Sequence, residues 1–181
     1  RVTGIQLINF PYISRMNLHC ATEYPQFFTA SIHNWLPLLL EDKYKNIITG
    51  SLHFLVQHKR IELNTFVIMN NHVHLIWQPL PGHTLKSIQL SFMKFTAQQL
   101  KFAYSNDKNS LIEQCKVNKA DREYQVWKRK PLSIELRSES VFVQKLEYIH
   151  YNPVKAGLCN FPEEYHYSSA LFYEKGIDHF N

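Results

Sequence analysis

Asn64-Thr65-Phe66-Val67-Ile68-Met69-Asn70-Asn71-His72-Val73-His74-Leu75-Ile76-Trp77 is the stretch on which the fold turns. Asn64 to Met69 is rich in β-favouring side chains, Asn70-Asn71 can supply a tight turn, and His72 to Trp77 returns as a second strand, so the two make a hairpin. In a strand, residues two apart project from one face, so His72 and His74 stand side by side while Val73 and Leu75 face the other way. Two aligned imidazoles can hold one metal ion; two ordinary strand histidines are the competing reading. A metal held by two protein nitrogens is incomplete, and the question is whether the rest of the chain supplies a third ligand and a reacting group.

Working outward, Gln26 to His33 reads as an earlier strand and Asn34 to Pro37 breaks it. From Glu41 to Lys59, Tyr44, Ile48, Leu52 and Leu55 recur at helical spacing, with Glu41 and Asp42 near the helix N-terminus. Gly50 inside this helix costs about 1 kcal/mol against Ala. Pro79, Pro81 and Gly82 end the histidine strand, and Thr84 is a candidate cap for a helix running to about Tyr104. Leu85, Ile88, Phe92 and Phe95 are expected to face the core there. Ser87, Ser91, Lys94, Gln98 and Lys101 form a polar stripe, read first as a solvated face and second as a phosphate-contacting one.

Ser105 to Arg122 is polar and reads as a loop or short helix. In Tyr124 to Arg137, Val126-Trp127 and the basic run Lys128-Arg129-Lys130 precede Leu132, Ile134 and Leu136, which alternate with polar residues as a fourth strand with one wet face. Ser140 can cap a last helix in which Val141, Lys145, Tyr148 and Asn152 lie on successive turns, ending where Asn152-Pro153 breaks the run. The order strand, helix, strand, strand, helix, strand, helix predicts an α+β fold: a ferredoxin-like βαββαβ sandwich, one antiparallel sheet with helices on one face, plus a C-terminal helix. The expected boundaries are an N-terminal extension over 1–22, one catalytic domain over 23–160 and a tail over 161–181 packed on it.

Composition agrees with one domain. The 181 residues are 45% hydrophobic and 19% charged, with twelve Phe, ten Tyr and three Trp, which supplies a core and excludes a mainly disordered chain. Cys20, Cys115 and Cys159 are scattered and read as free thiols. No apolar run approaches the roughly 20 residues of a membrane span, and Arg1 to Cys20 lacks the apolar segment of a signal peptide, so the expected compartment is the cytoplasm. A net charge of +5 suits a polyanionic partner without establishing one.

What raises the histidine pair above an ordinary strand is Tyr148-Ile149-His150-Tyr151-Asn152-Pro153-Val154-Lys155-Ala156-Gly157-Leu158. Tyr148 and Asn152, four apart on a helix, sit one above the other. If that helix crosses the sheet at the histidine strand, Asn152 can bring an oxygen to the metal while Tyr148 reaches a substrate beside it; a plain helix end with a half-buried Tyr is the alternative. Together with Asn71-His72-Val73-His74-Leu75 and Trp127-Lys128-Arg129, this segment resembles the single-tyrosine HUH transposases, in the branch of REP-associated tyrosine transposases, over roughly residues 24–169.

The resemblance implies that His72 and His74 are metal ligands, Asn152 the third protein ligand and Tyr148 the nucleophile. The chain departs from the family at Asn70, where proline is common, and carries a second phenol, Tyr151, on the same helix. Tyr148 takes the first tyrosine of the motif and is the expected attacker. A phenol with a reference pKa of about 10 needs help to attack a phosphodiester, and a divalent ion, Mg²⁺ or Mn²⁺, bound through two imidazoles and an amide oxygen keeps open positions for phosphate. The implied product is a 5′-phosphotyrosine with a free 3′-hydroxyl, formed on single-stranded or hairpin DNA, with a homodimer left open. Lys128, Arg129, Lys130, Lys155, Lys94 and Lys101 are candidate phosphate contacts, and Trp127 or Tyr151 a base-stacking group; core packing for Trp127 and a solvated face for the basic run weigh equally. A replication or mobilisation nickase of the same chemistry and a non-catalytic nucleic-acid-binding module are the competing functions.

Overall fold

The computed structural model describes Thr22 and residues 24–177. Cys20 and the expected extension, apart from Thr22, lie outside the described residues. The strands are β1 (Gln26–Ser31), β2 (Ile61–Ile68), β3 (His72–Pro79), β4 (Lys116–Lys119), β5 (Arg122–Tyr124) and β6 (Leu132–Glu135), and the helices are α1 (Asp42–Gln57), α2 (Leu85–Asn106), α3 (Glu139–Lys155) and α4 (Ala170–Lys175). The main sheet has the order β2-β3-β1-β6 with every neighbouring pair antiparallel. This is the α+β, ferredoxin-like arrangement expected, with α3 as the added C-terminal helix. The unforeseen elements are the small β4–β5 hairpin and the six-residue α4 in the tail; both are too short for periodicity to reveal.

Alternation along the strands gives the sheet two apolar faces. Phe28, Ala30, Phe66, Ile68, Val73, Leu75 and Trp77 point to one side, where Tyr44, Ile48, Leu52 and Leu55 of α1 and Ile88, Phe92, Leu100 and Tyr104 of α2 cover them. Phe27, Val67 and Ile76 point to the other, beneath Phe142, Leu146 and Ile149 of α3. A bulge at Asn64, which has no partner between Leu63↔Trp77 and Thr65↔Ile76, resets the alternation so that both segments of β2 match β3.

Helix ends follow local chemistry. Thr84 caps α2 through a capping box, accepting from the Ser87 backbone N–H at 3.1 Å while Ser87 Oγ accepts from the Thr84 N–H at 3.2 Å. Phe95, expected in the core, is exposed; the buried stripe of α2 continues instead through Thr96, Leu100 and Tyr104. The cap of α3 is Ser138 rather than Ser140. Nor does Pro153 end that helix. It costs one hydrogen bond within the last turn, and α3 runs on to Lys155. Termination comes at Gly157, whose positive φ lets its own N–H reach Val154 O at 3.0 Å and the Leu158 N–H reach Pro153 O at 2.9 Å. Those are the two bonds of a Schellman motif.

The segment after α3 returns to the sheet. Ser168 bridges to Val67, and the Ser169 hydroxyl accepts from the Phe66 N–H at 3.0 Å. His150 Nε2 lies 2.9 Å from both Thr65 Oγ1 and Ser169 Oγ in a buried cluster that ties α3, β2 and this segment together. No helix among the described residues is long and apolar enough to cross a membrane.

Candidate active site

His72 and His74 open β3 directly after the turn, on the sheet face that α3 covers. His74 pairs in register with Thr29, and His72 with Ser31. Thr29 Oγ1 lies 2.7 Å from His74 Nδ1, and Asn71 Oδ1 lies 2.7 Å from His72 Nδ1. Asn71 Oδ1 can only accept, so His72 holds its proton on Nδ1 and its lone pair on Nε2. The Thr29 hydroxyl, able to donate or accept, fixes the plane of the His74 ring; neighbouring oxygens orient metal-binding histidines in this way.

From α3, eighty residues further along the chain, Asn152 brings its Oδ1 to 3.4 Å from His72 Nε2. Tyr148, one turn earlier, puts its ring 5.2 Å from that of His74, and the two imidazole rings are 4.7 Å apart. The tertiary fold therefore assembles all four residues within one chain. Phe27 stacks on His74 and meets Tyr148 edge-on, forming an apolar floor. Burial pushes the His72 imidazole below the usual range, only partly opposed by Asn152 Oδ1, which can accept a hydrogen bond from Nε2 when the ring is protonated. His74 is pushed down to about 3 by burial first, then by His72 and Lys145. Both imidazoles are neutral near pH 7, the protonation state a metal requires.

The donor set suits a divalent cation. Two imidazole nitrogens and an amide oxygen would hold it, and His72 Nε2 already stands 3.4 Å from Asn152 Oδ1. Among the described residues no group of three His, Cys, Asp or Glu offers a competing site.

The basic residues divide by position. Lys155 Nζ lies 5.5 Å from the Tyr148 ring centre, and Lys145 Nζ lies 5.7 Å from it and 5.0 Å from the Phe27 ring. Lys128 lies near the His72 end, its backbone N–H bonded to Ser31 O. Arg129 and Lys130 follow it, exposed. Lys94 and Lys101 are not brought to the site, because α2 packs on the opposite sheet face; Lys101 instead sits 3.9 Å over the Tyr124 ring and 3.7 Å from Glu123. Trp127 as a base-stacking group is corrected outright: it is buried in the α2-side core, and its indole N–H donates to Thr96 Oγ1 at 3.0 Å. Tyr151 is exposed on α3 and makes none of the ring contacts that place Tyr148 against His74.

Sequence reasoning missed Thr29 and Asn71 as partners of the imidazoles and Lys145 beside the phenol. Lys145 was within reach, three residues before Tyr148 on the same helical face. Thr29 was not, since its role depends on the register between β1 and β3.

No protein-family model matches the chain. It is 25% identical over 157 residues to a Haemophilus influenzae protein described as a candidate REP-associated tyrosine transposase, an alignment covering 82% of this chain and 85% of that protein. Its fold matches a REP-associated tyrosine transposase solved bound to a REP hairpin, with a TM-score of 0.61 at 18% identity over 87% of this chain and 83% of the other. In sequence over most of its length, and in fold, the chain resembles the REP-associated tyrosine transposases.

Proposed function

We propose that the chain cuts and rejoins single-stranded DNA in transposition, with Tyr148 as nucleophile and His72, His74 and Asn152 as the ligands of a divalent cation, Mg²⁺ or Mn²⁺. The observation that carries this is the meeting of Tyr148 and Asn152 of α3 with the two neutral imidazoles of β3 across eighty residues of sequence. The curated relative is named for the same activity, and the structural neighbour was solved on hairpin DNA, which supports a hairpin as the substrate here. In this reading all four residues are supplied by one chain.

In this reading a phosphodiester lies across the Tyr148 and His74 rings. The Tyr148 oxygen attacks phosphorus and loses its proton to water, which reaches the half-exposed phenol. A Tyr–O–P bond forms as the P–O3′ bond breaks; the leaving oxygen takes a proton as a free 3′-hydroxyl, and the 5′-phosphate stays on the protein. A cation bound by His72, His74 and Asn152 would supply Lewis acidity toward the phosphate oxygens. Lys145 and Lys155 flank the phenol and are placed to meet the non-bridging oxygens, while Lys128, Arg129 and Lys130 continue the positive surface past His72. Thr29 and Asn71 hold the imidazoles so that Nε2 of each faces the phosphate side.

The test is covalent capture. Incubating the protein with Mn²⁺ and single-stranded DNA from the ends of its own element should give a protein–DNA adduct stable to denaturation. Tyr148→Phe should abolish it and Tyr151→Phe should leave it. An undiminished adduct from Tyr148→Phe would remove Tyr148 from this role.

A further inference from the structure

Beside His72 the chain makes a turn that the proposed chemistry does not use. After β1, Asn34 and Trp35 both adopt left-handed backbone, with φ of 54° and 58°. Asn tolerates that conformation; a Trp does not adopt it without cost. The turn is held there from three sides. The His33 N–H donates to Val126 O at 2.7 Å, the Trp35 N–H to Ile32 O at 3.1 Å, and the Asn71 side-chain amide to Trp35 O at 3.3 Å. Asn71 thus fixes the Trp35 carbonyl with its Nδ2 and the His72 imidazole with its Oδ1.

What this strained turn does is hold an indole in water. Trp35 is 55% exposed, whereas Trp77 and Trp127, the chain's other tryptophans, are 0% and 5% exposed. Its ring meets His72 edge-on with centroids 6.2 Å apart, and the Lys128 ammonium stands 3.6 Å over it. A half-exposed Trp leaves apolar ring surface in water that a core position would bury. Here it carries a cation on its face and lies against a proposed metal ligand.

We propose that Trp35 is the stacking platform for an unpaired nucleobase next to the scissile phosphate, with Lys128 meeting the adjoining backbone phosphate. This deepens the DNA-cutting reading and rests on it. Trp35 is the positioning residue that sets which phosphodiester lies over Tyr148. Base–indole stacking is tolerant of sequence, so the contact fixes register along the strand rather than base identity.

The chain carries its own probe, because Trp35 is the indole that DNA can reach. Metal-free Tyr148→Phe protein is titrated with a labelled hairpin bearing a randomised single-stranded flank, following DNA anisotropy and indole emission together. Binding should quench the emission. In Trp35→Phe the quenching should vanish while affinity stays within a few-fold, and Trp35→Leu should bind about 5- to 100-fold more weakly. Binding with unquenched emission, or Trp35→Leu binding as tightly as Trp35, overturns the platform while leaving the cutting reading intact. No anisotropy change at any protein concentration overturns both, and circular dichroism of the Leu variant separates lost stacking from lost folding.

Discussion

Thr29 shows how a residue outside the chemistry can set it. Its hydroxyl lies 2.7 Å from His74 Nδ1 and holds the ring in its orientation on the sheet. Thr29→Val, which keeps the shape and removes the oxygen, should lower Mn²⁺ affinity by about tenfold or more by titration calorimetry. Circular dichroism should be unchanged. Of the two phenols, only Tyr148 contacts the His74 ring, so removing the Tyr151 hydroxyl should leave the rate of adduct formation within about twofold, against a loss of several orders of magnitude for Tyr148→Phe. Gel quantification of the adduct decides between them.

At the scale of elements, α3 carries Tyr148 and Asn152, and its placement depends on how it ends and what it leans on. Gly157 closes it at φ 69° with no atom within 4 Å of where a Cβ would stand. Gly157→Ala should therefore cost about 1–2 kcal/mol in urea unfolding from backbone conformation alone, and Gly157→Asn less. On α1, Gly50 also has open space around it but lies mid-helix without positive φ, so Gly50→Ala should stabilise by about 1 kcal/mol. The buried His150–Thr65–Ser169 cluster pins the middle of α3 to β2. Burial pushes His150 down to about 4. The native state keeps it neutral while the unfolded chain takes up a proton near pH 6.5, so its contribution is whole above that pH. It is then lost progressively as pH falls toward 4. His74, depressed to about 3 by burial, adds to the same acid loss. Urea midpoints measured from pH 7 to pH 4 should fall steadily, and more shallowly for His150→Gln.

At the scale of the molecule, the site forms because one sheet has helices on both faces. The α1/α2 layer fixes the sheet, and α3 on the other side brings its turns over β2 and β3. The edge strand β6 lies outside that cover. Leu132 and Ile134, expected on a buried alternating face, are half exposed because α3 does not reach them, while Leu136 just beyond the strand is buried. They share the histidine face of the sheet, opposite Thr29 and Phe27. Alternation in sequence can say that Leu132 and Ile134 face one way, but whether anything covers that face is a tertiary fact. The same distinction separates Lys94 and Lys101 from Lys128: all are basic, and only the fold puts two of them behind the sheet.

The sequence by itself determined the hairpin, the one-face pairing of His72 with His74, the stacking of Tyr148 above Asn152 and the order of the four main-sheet strands and three long helices, since each follows from a period of two or of about 3.6 and from local turn and cap chemistry. It also offered Trp127 as a base-stacking group and gave Trp35 no role, placing it only in the Asn34 to Pro37 stretch that breaks the first strand. Only the tertiary structure decided that Trp127 is core and Trp35 is held in solvent, that Thr29 and Asn71 orient the imidazoles, and that Asn152 reaches within 3.4 Å of His72. Those are contacts between segments far apart in the chain. They are set by strand register and by which face a helix covers, and neither is written in any single window of sequence.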